Sequence, residues 1–181
     1  KMRMNAHIPP PVTLLDVARL AVPRYTSYPT VPHFTADVTP ATYAGWLDAV
    51  RASGAPISLY LHVPFCRHIC TYCGCNTKAA LRDAPIRAYA ATLRHELALL
   101  ADRLGPAPLS HIHWGGGTPG ILPPDCMDAV VRDIHRFFRP VPGLEHAIEL
   151  DPRYVTPESA RRLASLGMNR ASLGVQTLDD A

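Results

Sequence analysis

From residue 39 onward the hydrophobic positions follow two alternating rhythms. Short apolar runs of β-formers alternate with longer stretches in which apolar residues recur every three or four positions, the period of a helix with one buried face. Thr39 and Pro40 open a predicted helix carrying Tyr43, Trp46, Leu47 and Val50, and Gly54 closes it. Ile57 to Val63 reads as a strand. Asp83-Ala84-Pro85 starts a second helix with Ile86, Tyr89, Ala90, Leu93, Leu97, Leu100 and Leu104 on one face. Leu109 to Trp114 is a second strand, followed by a helix from Pro124 to Phe138 with Met127, Val130, Val131, Ile134 and Phe138 inward. Ala147 to Leu150 is a third strand. Thr156-Pro157 caps a further helix that stops at Gly167, and Arg170 to Val175 is a fourth strand. Residues 1–38 lack this rhythm. They are proline-rich with one short apolar stretch, Val12 to Val22, and read as an extended N-terminal arm.

The order β-α-β-α-β-α-β predicts an α/β fold with a parallel sheet and right-handed crossovers. Residues of unusual chemistry all follow strands. Four cysteines come after the first, three glycines after the second, Glu149 lies near the end of the third, and Gln176 follows the fourth. Parallel α/β folds bind ligands at the carboxyl ends of their strands, so these residues are expected on one rim.

Composition narrows the function classes. Hydrophobic residues make up 48% of the 181, as in a globular protein, and Lys plus Arg exceed Asp plus Glu by only 18 − 15 = 3. That balance gives no electrostatic footprint for nucleic acid. No apolar run approaches the ~18 residues of a membrane helix, and Lys1 to Pro11 has no signal-peptide core. Five cysteines without an export signal argue against a disulfide scaffold. The expectation is a metal or redox site in the cytoplasm.

Cys66, Cys70 and Cys73 have the spacing Cys-x3-Cys-x2-Cys, with Cys75 two residues on. Three thiolates in one tight loop suit an iron–sulfur cluster, zinc or Cu(I). A four-iron cluster on three cysteines keeps one iron open for a substrate. A zinc site completed by a fourth cysteine, His62 or His68 is the alternative, although structural zinc sites usually come as two separated pairs. Cys126 lies alone in a helix and reads as packing. His62 and His113 flank the rim, whereas His7, His95, His135 and His146 read as surface positions.

Tyr60-Leu61-His62-Val63-Pro64-Phe65-Cys66 running into this spacing resembles the radical S-adenosylmethionine (SAM) superfamily. Within it, five further segments resemble the oxygen-independent coproporphyrinogen III oxidases. These are Arg24 to Thr30, Cys73-Gly74-Cys75-Asn76-Thr77, His113 to Pro119, Glu149 to Arg153, and Asn169 to Gln176. The resemblance implies a partial (β/α)6 TIM-like radical SAM barrel, with residues 39–181 as its N-terminal part and the chain truncated after about four strands. It implies that Cys66, Cys70 and Cys73 hold a 4Fe–4S cluster whose open iron binds SAM, with a second SAM beside the first. Tyr60, Tyr72, Gly116, Gly117, Thr118, Glu149 and Gln176 match SAM contacts, and Cys75 matches a functionally required cysteine near the reaction centre. The plain alternatives are core packing for the two tyrosines, a tight turn for the glycines, an outward residue near Arg153 for Glu149, a loop amide for Gln176 and a passive thiol or fourth ligand for Cys75. The glycine segment is expected to expose N–H donors. Gly120, where the family is expected to carry Thr or Ser, should loosen the turn.

The activity implied is oxidative decarboxylation of two propionates of coproporphyrinogen III to vinyl groups, with an unidentified electron donor and acceptor. The arm of residues 1–38 would cover the substrate, and Arg24 would pair a propionate. A monomer is expected, without nucleic-acid or membrane partners. The competing readings are a haem chaperone of the same superfamily, which binds haem without oxidising a porphyrinogen, and a zinc-stabilised interaction domain.

Overall fold

The computed structural model describes residues 31–176 together with Thr13. Arg24 and most of the expected arm lie outside the described residues. The chain divides into two compact units, Lys1–Thr39 and Pro40–Ala181. In the first, a 3-10 turn spans Val31–His33, and the Thr35 hydroxyl donates to Asp37 Oδ2 at 2.8 Å.

The second unit carries the alternating pattern. Its elements are α1 (Pro40–Ser53), β1 (Ile57–Val63), β2 (Phe65–Cys66), β3 (Lys78–Ala79), α2 (Asp83–Leu104), β4 (Pro108–Gly116), α3 (Pro124–Phe137), β5 (Arg139–Leu150), α4 (Pro157–Ser165) and β6 (Arg170–Leu173). The main sheet has the order β1-β4-β5-β6 with every pair parallel. Strand order follows chain order, as βα units wound in one direction require.

The inward faces match the periodicity. Ile86, Ala90, Leu97 and Leu104 of α2 and Met127, Val130, Val131 and Ile134 of α3 are buried. They join Leu61 and Val63 of β1 and Ile112 and Trp114 of β4 in one apolar cluster. Burying each such side chain is worth about 1.5–3 kcal/mol. At the start of α4, Thr156 accepts from the Ser159 N–H at 3.1 Å while Ser159 Oγ accepts from the Thr156 N–H at 2.9 Å. This reciprocal cap satisfies two amides that a helix start leaves open.

Three features depart from the sequence reading. β5 begins at Arg139, well before Ala147. Its register jumps from Leu109↔Pro140 to His111↔Glu145, so the strand bulges where Pro140, Pro142 and Gly143 break the alternation. Gly143 takes φ +82°, which only glycine adopts readily. The cysteine segment is more than a loop, because Phe65–Cys66 and Lys78–Ala79 pair as a short parallel ribbon. His146 is buried rather than superficial, 1% exposed, because the longer β5 places it inside the sheet and the Trp114 indole N–H donates to its Nε2 at 2.8 Å. Among the described residues β6 pairs only with β5, and all four of its residues are exposed. No helix among the described residues is long and apolar enough to cross a membrane.

Candidate functional site

The cysteine loop is clipped at its base. Pro64 O accepts the Lys78 N–H at 3.0 Å and Cys66 O accepts the Ala80 N–H at 2.9 Å. Arg67 reinforces the clip by donating to Ala80 O at 3.0 Å and to Asp83 at 2.6 Å. Inside the loop, the Cys73 N–H closes a turn on Cys70 O at 3.0 Å. The Cys66 thiol sits 3.4 Å from Thr118 Oγ1 and 3.6 Å from Thr77 Oγ1. The far side of the loop meets the turn after β5. His68 Nδ1 lies 2.7 Å from the Tyr154 hydroxyl, and Arg153 Nη2 donates to Cys70 Sγ at 3.9 Å. Asp151 holds that guanidinium from both carboxylate oxygens, and Arg153 in turn keeps the Asp151 carboxyl below the usual range. An aspartate two residues before an arginine, just past a strand, was the signal for this arrangement, and the sequence reading passed over it.

The glycine segment does not expose N–H donors as expected. The Gly117 N–H is spent on Val63 O and the Thr118 N–H on Phe65 O, both at 2.8 Å, and the Gly116 N–H donates to Glu149 Oε2 at 3.3 Å. Filled donors leave the segment's carbonyl oxygens as what it has for a ligand, which suits a cationic group rather than an anionic one. The glycines answer to packing as well. A Cβ on Gly117 would lie 2.5 Å from Phe65 O, and one on Gly116 would lie 2.7 Å from the His62 ring. Gly120 does not loosen the turn. Ile121 N–H to Thr118 O at 2.9 Å and Leu122 N–H to Pro119 O at 3.1 Å close a regular 3-10 helix there.

Glu149 makes no ion pair with Arg153, which is held by Asp151 instead. Glu149 reaches back over β4, where His113 Nε2–H donates to its Oε1 at 3.1 Å. The Tyr60 ring stacks on His113 with centroids 5.7 Å apart. Its hydroxyl lies 3.2 Å from Nδ1 of His62, whose Nε2–H donates to Asn76 O at 3.0 Å. Burial, then the Glu149 charge, push the Tyr60 phenol up, so it stays a neutral hydroxyl. Burial and then Cys73 push the Cys75 thiol up as well.

These groups surround one cavity of about 750 Å³, within the usual range for small-molecule sites, roughly 300–1,000 Å³. Its wall holds Cys66, Cys70, Cys73 and Cys75 with Tyr72, and Gly116, Gly117 and Thr118. Glu149 and Gln176 complete the set that the sequence pointed to. Tyr60 stands beside the cavity, outside its wall. Ser172, Leu173 and Gly174 at the end of β6 also line it. The sequence reading had not singled them out as site residues, although their place beside Gln176 on a strand end was the available signal. Among the described residues, no three His, Cys, Asp or Glu side chains converge on a single metal-ion position. All three motif thiols line the cavity.

A family model for the radical SAM superfamily matches residues 60–181, from β1 through the cysteine loop to the end of the chain. The chain belongs to the radical SAM superfamily. Radical SAM membership implies a 4Fe–4S cluster and SAM, and the donor set fits. Three soft thiols line one cavity together with a carboxylate, an amide and a threonine hydroxyl. The chain is 48% identical over 159 residues to an oxygen-independent coproporphyrinogen III oxidase of Bradyrhizobium diazoefficiens, covering 87% of this chain and 35% of that relative. The corresponding enzyme of Paracoccus denitrificans is 46% identical over the same length, with the same coverage. Among solved structures, the radical SAM coproporphyrinogen III oxidase of Escherichia coli superposes with a TM-score of 0.79 at 32% identity. That match covers 86% of this chain and 35% of that one. The fold is therefore part of a TIM-like radical SAM barrel, and the chain spans about 35% of the length of the curated relatives it matches.

Proposed function

We propose that this chain supplies the cluster- and SAM-binding part of an oxygen-independent coproporphyrinogen III oxidase that works in the cytoplasm as a monomer. The observation that carries the reading is the single cavity. Residues from four successive strand ends, each singled out by sequence, line one space large enough for a nucleoside-sized ligand. The relatives' names supply the substrate, coproporphyrinogen III, and converting two of its propionates to vinyl groups makes protoporphyrinogen IX the product of this reading. In the overall reaction each of two propionates loses a β-hydrogen atom, CO2 and one electron, leaving a vinyl group. The cluster and SAM, when bound, supply reductive cleavage of the sulfonium and hence the hydrogen-abstracting radical.

In this reading Cys66, Cys70 and Cys73 hold the cluster from the loop that β2 and β3 clip shut. Carbonyl oxygens of the Gly116–Thr118 segment accept the SAM ammonium, since the segment's N–H groups are already used. Glu149 and Gln176 take polar groups of SAM, Tyr72 packs against it, and Tyr60 orients from the edge of the cavity. A second SAM lies beside the first, Cys75 stands free of the cluster at the reaction centre, and Arg24 in the arm pairs a substrate propionate. An external donor supplies the electron for SAM cleavage, and an external acceptor takes the electron left by decarboxylation.

Anaerobic reconstitution with iron and sulfide, followed by EPR of the reduced protein with and without SAM, tests the site. A reduced 4Fe–4S signal that changes on adding SAM is expected. A colourless protein holding one zinc would sink the proposal. In the full-length enzyme, vinyl porphyrinogen formed from coproporphyrinogen III supports the oxidase, whereas tight haem binding without decarboxylation points to the chaperone.

A further inference from the structure

His113, in β4 two residues before the first glycine, has no part in the reading above, yet it touches two of the residues in it. His113 Nε2–H donates to Glu149 Oε1 at 3.1 Å, and the His113 ring carries Tyr60 in a stack with a 17° interplanar angle. Three parallel strands make this possible. Tyr60 of β1 is the register partner of His113 on β4, and Glu149 stands two residues past Ala147, the partner of His113 on β5. Over Gly115 the tyrosine hydroxyl and the carboxylate converge. A Cβ on that glycine would lie 2.9 Å from Tyr60 Oη and 3.0 Å from Glu149 Oε2.

Without His113, neither group is well held. Among the described residues Glu149 keeps only the Gly116 N–H, at 3.3 Å, and its side chain is 45% exposed, so its rotamer would be free to change. Tyr60 keeps the hydroxyl contact to His62 and a tilted ring contact with it at 5.9 Å, and loses the stacked surface against which its ring lies flat. A carboxylate has about four acceptor sites. Two are used here, which leaves the others for hydroxyl or amine groups of a ligand.

We infer that His113 is the positioning residue of the SAM site, orienting Glu149 through its Nε2–H and Tyr60 through its ring face. The inference rests on the reading of Glu149 and Tyr60 as SAM contacts. It separates two properties of the imidazole, a donor at Nε2 and a flat face. Glutamine can place an amide donor near the Nε2 position without the ring, and phenylalanine keeps the ring without the donor.

The test uses the full chain with its cluster reconstituted, and SAM as the probe. Iron and sulfide content, and the SAM dissociation constant by equilibrium dialysis, are measured for the wild type, H113A, H113Q and H113F. All four should hold the same iron, because His113 touches no cysteine of the loop. H113A and H113F should bind SAM roughly tenfold more weakly, the order expected when a charge-assisted hydrogen bond no longer orders a ligand group. H113Q should recover most of that loss. A long-range ¹H–¹⁵N spectrum of the apo protein gives a readout without cofactor. The His113 Nε2 proton should be seen, and its resonance should move in E149Q. SAM affinity in H113A within twofold of wild type overturns the inference while leaving the SAM site standing. Equal losses in H113Q and H113A reduce His113 to packing and also overturn it. A wild-type chain whose cluster ignores SAM overturns both the site reading and this inference.

Discussion

His146 illustrates how one residue's role depends on its partner. Its Nε2 accepts the Trp114 N–H, and its backbone N–H donates to Asn169 Oδ1 at 2.9 Å. The ring proton is therefore on Nδ1, which finds no partner among the described residues. Burial, and secondarily the charge of His135, lower the His146 pKa from 6.5 to about 4. The unfolded chain binds this proton near pH 6.5 and the folded chain does not, so the unfolded state gains protons first as pH falls. Stability is complete above pH 6.5 and declines towards pH 4, by up to about 3 kcal/mol. Urea midpoints between pH 7 and pH 4 should show this slope, and H146Q, which keeps an acceptor without titrating, should flatten it. A wild-type protein with no loss over that range would contradict the buried neutral imidazole.

At the scale of elements, the turn Pro152–Tyr154 clasps the cysteine loop across more than eighty residues of sequence. The contacts are His68 to the Tyr154 hydroxyl and Arg153 to Cys70 Sγ, and within the turn Arg153 lies over the Tyr154 ring at 5.7 Å. Asp151 caps the turn by accepting the Arg153 N–H at 3.0 Å, which aims the guanidinium. The loop's own backbone bonds are few, so this clasp is a large part of what orders it. Tyr154→Phe removes one hydrogen bond worth about 1 kcal/mol. Amide exchange in residues 66–75 of the cluster-free protein should then quicken several-fold, with exchange in β4 unchanged. Unchanged exchange in the loop would show that the β2–β3 ribbon alone orders it.

At the scale of the whole molecule, the four wound strands bring the candidate groups among the described residues to one rim, and the cysteines there divide into two classes. Serine in place of Cys66, Cys70 or Cys73 should abolish the reconstituted chromophore. Cys75→Ser should keep full iron and sulfide and lose only turnover in the full-length enzyme; loss of iron in that variant would make Cys75 a ligand. Much of this was legible in the chain. Apolar periodicity placed α2, α3, β1 and β4 to within a few residues, because those elements bury one continuous face and are bounded by proline and glycine. The cysteine spacing, the triple glycine and the two strand-end polar residues pointed to the cavity for the same reason, since βα topology leaves strand ends only one rim. What local pattern could not carry was anything set by a partner distant in sequence. His146 is buried because Trp114 needs an acceptor, β5 begins early because its bulge is paid for by pairing with β4, and the glycine N–H groups are filled by Val63, Phe65 and Glu149. His113 holds Glu149 only because parallel register puts them side by side. Hydrophobic rhythm and motif chemistry act within a segment, whereas hydrogen-bond partners are assigned only when the strands are assembled.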